Sequence, residues 1–160
     1  MGCCQSKHPI IEESNGDSRD FGDRFVVDRV LGKGEFGTVK LVHRKNDPLL
    51  VPLACKLLRK GFHIESNTLY TPTKPYILKN EVNILRALNG DRHNLKLEEV
   101  YESRSLIYIV TEYCELELLK YVTTCYGSSG IRTEDVSRIA FELFDAIDHC
   151  AKNGVIHRGM

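Results

Sequence analysis

Apolar and β-branched runs recur along the first part of this chain, and a helical period takes over toward its end. Arg24 to Leu31 (RFVVDRVL) is β-branched, apolar and bounded by turn residues, which predicts a strand. Thr38 to His43 alternates apolar with polar side chains, the period of a second strand. Lys45-Asn46-Asp47-Pro48 reads as a turn. Val51 to Leu57 predicts a third strand, with Pro52 near its start, where a missing N–H is tolerated. Leu95–Tyr101 and Leu106–Val110 predict a fourth and a fifth.

Two stretches carry the helical period. Pro75, at a first-turn position, opens a helix over about Tyr76 to Leu88, and Gly90 lies just past its end. Ile77, Glu81, Ile84 and Leu88 fall on one stripe, so Glu81 is expected to point inward with the apolar side chains. Thr133, followed by Glu134 and Asp135, starts a second helix over 133–152, and Asn153-Gly154 ends it. Val136, Ile139, Ala140, Leu143, Phe144, Ile147 and Cys150 form its apolar face. Residues 5–20 are polar and aperiodic, and are expected to form an unstructured tether. Thr71-Pro72-Thr73-Lys74-Pro75 cannot be helical, so a surface loop is expected within 64–75. No internal repeat is present.

The 160 residues suffice for the core of one ordinary domain. The 22 basic and 22 acidic residues balance, which argues against nucleic acid as a partner. No apolar run is long enough to cross a membrane, and no secretory core is present. Cys3, Cys4, Cys55, Cys114, Cys125 and Cys150 form neither a C-x-x-C pair nor a zinc-spaced cluster, so a reducing cytosolic setting is expected. The first residues, Met1-Gly2-Cys3-Cys4-Gln5-Ser6, match the N-myristoylation pattern with Gly2 as acceptor. One myristoyl chain binds membrane only marginally, and Cys3 and Cys4 are candidate palmitoylation sites for a second. These residues predict a cytoplasmic protein held peripherally on a membrane face. An unmodified tail that matches by chance is the alternative.

Gly32-Lys33-Gly34-Glu35-Phe36-Gly37 lies between the first two strands. A dinucleotide-binding fold would send a helix out of such glycines. Here a strand follows, so the glycines cap a hairpin, where their backbone can approach phosphates with no Cβ in the way. A glycine-rich hairpin without a ligand is the alternative. Lys56 sits on an otherwise apolar strand, and a lysine there needs an anionic partner. Glu81 on the inward stripe of the first helix is the candidate; a solvated glutamate at the stripe edge is the alternative.

With Ala54-Cys55-Lys56 and Glu81 in place, the chain resembles the eukaryotic protein kinases, and within them the serine/threonine group of calcium- and calmodulin-dependent kinases. LACKLLRK (53–60), NEVNILRAL (80–88), LEEVYES (97–103), IYIVTEYC (107–114) and HCAKNGVIHR (149–158) carry the resemblance, which covers about 22–158. It implies an α+β fold: a five-stranded antiparallel sheet with one helix over 22–114, then an incomplete helical lobe over 115–160, after a flexible lipidated tail at 1–21. It also implies ATP as ligand and Mg2+ in the family reaction. Leu31, Gly32, Lys33, Gly34, Glu35, Phe36, Gly37, Val39, Ala54, Lys56, Glu81, Thr111, Glu112 and Cys114 would form the ATP site. In that reading Phe36 is at the hairpin tip and Val39 packs on the adenine. Lys56, fixed by Glu81, meets the α- and β-phosphates. Thr111 is the gatekeeper, and backbone groups of Glu112 and Cys114 meet the adenine edge. Glu117 resembles a glutamate that contacts ribose or a basic substrate residue, although Glu115-Leu116 stand where the family usually has Gly-Gly.

After Val155-Ile156-His157-Arg158 the family has a catalytic aspartate, and this chain has Gly159. Gly159 cannot accept a proton from a substrate hydroxyl, and the family's metal ligands have no counterpart in 1–160. The chain as given is therefore expected to be catalytically inactive, with weak ATP binding. Three readings stay open: a kinase whose sequence is cut short, a membrane-tethered pseudokinase module that binds nucleotide or a protein partner, and a fragment without function. The apolar face of 133–152 is expected to be exposed, mobile and sticky, and to invite a protein partner.

Overall fold

The computed structural model describes Ile11 and residues 14–34, 37–60, 75–127 and 130–157. Five strands form one antiparallel sheet: β1 (Phe25–Gly34), β2 (Gly37–Arg44), β3 (Leu53–Arg59), β4 (Leu97–Glu102) and β5 (Leu106–Glu112). Their spatial order is β1-β2-β3-β5-β4. Four helices accompany them among the described residues: α1 (Ser18–Arg24), α2 (Pro75–Leu88), α3 (Leu118–Tyr126) and α4 (Thr133–Lys152). This is the five-stranded sheet with one helix, followed by a helical region, that the resemblance implies.

Strand alternation divides the core into two clusters. Leu58, Val100, Ile107 and Ile109 face α2 and meet its Leu78 and Val82, with Leu85 packed against them. Val42, Leu53, Cys55, Tyr101 and Val110 face the other way and meet Phe21 of α1 and Phe25. Phe21 stacks on Tyr108 at 4.7 Å between ring centres and on Phe25 at 5.1 Å, and Tyr101 meets it edge-on at 5.6 Å.

Two expectations are corrected. The inward stripe of α2 is Leu78, Val82 and Leu88, while Ile77 is exposed. The stripe is rotated by about one residue from the predicted one, so Glu81 lies at its edge rather than within it. Residues 5–20 were expected to lack order, yet Ile11 is buried and Asn15–Asp17 bind β4 and start α1. The order comes from a pattern easy to pass over: Asp17 and Asp20 form a reciprocal capping box, with the Asp17 carboxylate accepting from the N–H of Arg19 and Asp20 and the Asp20 carboxylate accepting from the N–H of Asp17. Helix α3 has no predicted counterpart. The loop expected within 64–75 lies outside the described residues except for Pro75, which begins α2.

Helix α4 has the predicted bounds and buries no residue. Val136, Leu143 and Phe144 of its apolar face are exposed, as is Phe141, whereas Ile139, Ala140, Ile147 and Cys150 are half-buried. It is tied to the segment after α2 by polar contacts. His93 faces Asp145 at 3.3 Å, His149 faces Asp91 at 3.5 Å, and the Cys150 thiol donates to Asn94 Oδ1 at 3.4 Å.

Candidate functional site

Strand pairing assembles the site. Val39 of β2 lies opposite Lys56 of β3, and Lys56 lies opposite Ile109 of β5. Leu41, Ala54 and Thr111 pair in the same way two residues along. Residues directly opposite in a ladder share a face, so Val39, Ala54, Lys56 and Thr111 point to the α2 side. Lys56 Nζ donates to Glu81 Oε1 at 2.6 Å. The side chains are 34% and 29% exposed, so both the lysine and its partner are reachable from solvent. The pair is therefore half-buried, not sealed in the core as the inward stripe would have had it.

The glycines cap the β1–β2 hairpin as expected, with Gly34 opposite Gly37 and Gly32 opposite Val39. Their reasons differ. A Cβ on Gly37 would lie 2.0 Å from the Leu57 carbonyl oxygen, so β2 can cross β3 this closely only at glycine. A Cβ on Gly32 or Gly34 would meet no atom within 4 Å. Among the described residues nothing fills that space, and glycine there leaves bare backbone beside the face that carries Lys56. Leu31 is half-buried one residue before, and Lys33 is exposed.

At the far end of β5, Thr111 is 7% exposed and its hydroxyl donates to the Glu112 carbonyl at 3.1 Å. Glu112 is fastened to Lys96 twice: its N–H donates to the Lys96 carbonyl at 3.0 Å, and its carboxylate accepts from the Lys96 N–H at 2.7 Å. Cys114 follows β5 and is exposed. Glu117 precedes α3 and makes no side-chain cap. Cys55, one residue from Lys56, faces the opposite side. Burial pushes its thiol up to about 12, so it stays protonated and inert. A solvent-open cleft of about 420 Å³ beside β4, lined by Ser14, Asn15, Arg86, Asn89 and Leu97–Val100, includes none of the nucleotide-site candidates. Among the described residues no cluster of three or more His, Cys, Asp or Glu is arranged to hold a metal. Glu35 and Phe36, expected at the hairpin tip, Gly2, Cys3 and Cys4 of the acylation pattern, and Gly159 lie outside the described residues.

A lysine on the third strand meeting a helix glutamate, beneath a glycine hairpin, now stands beside a sequence match. The protein kinase domain matches residues 25–160. The chain belongs to the protein kinase family. Curated relatives that it matches are named as CDPK-related kinases or as serine/threonine-protein kinases. A CDPK-related protein kinase of Daucus carota is 27% identical over 152 residues, which are 94% of this chain and 24% of the relative. CDPK-related kinase 5 of Arabidopsis thaliana is 28% identical over the same length, again 94% and 24%. The serine/threonine-protein kinase ksp1 of Schizosaccharomyces pombe is 30% identical over 140 residues, 85% of this chain and 27% of that protein. The chain spans about a quarter of the length of the curated relatives it matches.

The sequence reading missed two residues that matter for this site. Ile109 pairs directly across from Lys56 and is buried in the cluster on the α2 side. Ile11 enters the same cluster from the segment read as tether, and the pair Ile10-Ile11 within polar surroundings was the signal for it.

Proposed function

We propose that residues 25–160 bind ATP on the face of the sheet that carries Lys56, as part of a protein kinase that phosphorylates serine or threonine. Lys56, oriented by Glu81, meets the α- and β-phosphates, and the glycine backbone of β1–β2 lies over them. Leu31, Val39 and Ala54 pack on the adenine. Thr111 closes its back, and the Glu112 carbonyl and Cys114 N–H meet its edge. The observation that carries this reading is the Lys56–Glu81 contact of 2.6 Å in a solvent-reachable position beneath the glycine hairpin.

Residues 1–160 by themselves are proposed to be catalytically inactive, because Gly159 occupies the place of the family's proton-accepting aspartate. They also hold no counterpart of its Mg2+ ligands, so they bind ATP weakly. A second reading, a membrane-tethered pseudokinase module, is favoured by Gly159 together with the acylation pattern at Gly2, Cys3 and Cys4. That module would sit on the cytoplasmic face of a membrane, and a protein partner would cover the exposed face of α4.

The test is displacement of a fluorescent ATP analogue from the purified 160-residue chain. ATP displaces it, and Lys56→Met weakens ATP about tenfold or more, since a hydrogen bond to a charged group contributes about 1.5–3 kcal/mol. Equal affinity of the variant would overturn the assigned role of Lys56. Measurable autophosphorylation by the 160-residue chain would overturn the proposal of inactivity.

A further inference from the structure

Ile11 is 2% exposed and completes the cluster of Leu78 and Val82 of α2 with Leu58, Val100, Ile107 and Ile109 of the sheet. Its backbone N–H donates to Glu102 Oε2 at 2.6 Å. The Glu102 carboxylate is itself buried and paired with Lys60. A few residues on, the chain is bound to the outer edge of β4. The Asn15 N–H donates to the Val100 carbonyl at 2.6 Å, and the Val100 N–H donates to Asn15 Oδ1 at 2.8 Å. The Glu102 N–H donates to the Gly16 carbonyl at 2.9 Å. Strand β4 is the last in the sheet, so these bonds satisfy edge groups that would otherwise face water. Gly16 has φ +142°, and a Cβ there would come within 2.4 Å of Asp20 Oδ2, so the turn that delivers this segment admits only glycine.

We propose that Ile11 is a positioning residue for Glu81. Leu78 and Val82 are one helical turn apart, and Glu81 lies between them at the margin of the same stripe. The packing that fixes the rotation of α2 about its axis therefore fixes where the Glu81 carboxylate lies. Lys56 is held independently, by ladder pairing to β2 and β5. Ile11 fills the space between α2 and the sheet and sets the helix at the rotation where the two charges meet. The segment before α1 thus reaches the nucleotide site from behind, through the helix. This inference rests on the nucleotide reading for its consequence, and on the packing alone for its structural part.

The test uses the full 160-residue chain as wild type, Ile11→Ala, Ile11→Leu, Glu81→Gln and Ile11→Ala with Glu81→Gln. Two quantities are read: displacement of a fluorescent ATP analogue by ATP, and amide hydrogen exchange over 75–88 relative to β2 and β3. Ile11→Ala is expected to weaken ATP about fivefold, to lose that effect when Glu81 is already Gln, and to be rescued by Ile11→Leu. Amides of α2 should exchange faster while those of β2 and β3 keep their rates. An equal loss of affinity in both backgrounds would mean that Ile11 only stabilises the fold, and would overturn the proposal. Unchanged exchange in α2 would overturn it as well. If the wild-type chain binds no ATP, the nucleotide reading fails alone and the exchange comparison decides the positioning role. Should Ile11→Ala not fold, Asn15→Ala, which releases the edge and leaves the core intact, is read by the same criteria.

Discussion

The two faces of the sheet each hold ionised groups, and the difference in burial separates their roles. Toward α2, Lys56 and Glu81 meet with about a third of each side chain open to solvent. Toward α1, the carboxylate of Glu99 is 7% exposed and takes Arg24 at 2.8 Å, Arg44 and the Tyr101 hydroxyl. Arg44 also binds Glu98 at 3.0 Å and lies over the Phe25 ring at 5.2 Å. A charge that water can reach can exchange one partner for a phosphate at small cost. A sealed carboxylate cannot release its partners without leaving buried charge bare. The first pair is suited to binding a ligand, and the second to holding α1 and β1 against β4.

That contrast can be broken by substitution. Phe21→Ala empties the aromatic centre of the α1 face and should cost about 3–4 kcal/mol, read as the urea midpoint of the chain. ATP affinity of the folded fraction should not change, and a parallel loss of affinity would show that the faces are coupled. Glu99→Gln and Glu81→Gln make the sharper pair. The first strips a buried carboxylate from two arginines and should cost about 2 kcal/mol with nucleotide affinity intact. The second touches a half-exposed pair and should cost less than about 1 kcal/mol while weakening ATP severalfold. The reverse outcome would exchange the roles assigned to the two faces.

The smallest effect is in pH. The hydrogen bond from Lys96, helped by Arg44, holds the Glu98 carboxyl below its ordinary range. Its unfolded value is about 4.3, so its contribution to stability is complete above that pH and is lost as pH falls through the lower folded value. Glu98→Gln should flatten that part of the acid limb when urea midpoints are followed from neutral pH downward. An acid limb of unchanged slope would assign the dependence to other carboxylates.

Much of this was legible before the fold was known, and the misses have physical causes. The five strands were legible because their apolar runs are short, β-branched and bounded by turn residues. The Lys56–Glu81 contact was legible because a charge on an apolar strand demands a partner. The phase of α2 was not. Ile77, Ile84 and Leu88 formed a plausible stripe, but the helix turned toward Leu78 and Val82, where the sheet offered more to bury. Helix α1 was missed because local composition cannot report a distant edge. Asp17 supplies the cap, but Phe21 is ordered by Phe25, Tyr101 and Tyr108.

Helix α4 marks the same limit from the other side. Its bounds follow from Thr133, its acidic first turn and Asn153-Gly154, and the structure has them unchanged. Its amphipathic period does not say what the apolar face meets, and Phe141 and Phe144 remain exposed. By itself the sequence determined the strands, the limits of α2 and α4, and the family. These depend on neighbours in the chain: turn residues, caps and the spacing of apolar side chains. Tertiary structure alone decided the rotation of α2, the docking of Ile11, and which ion pair faces water. Those depend on surfaces brought together from far apart in sequence, whose burial no local pattern encodes.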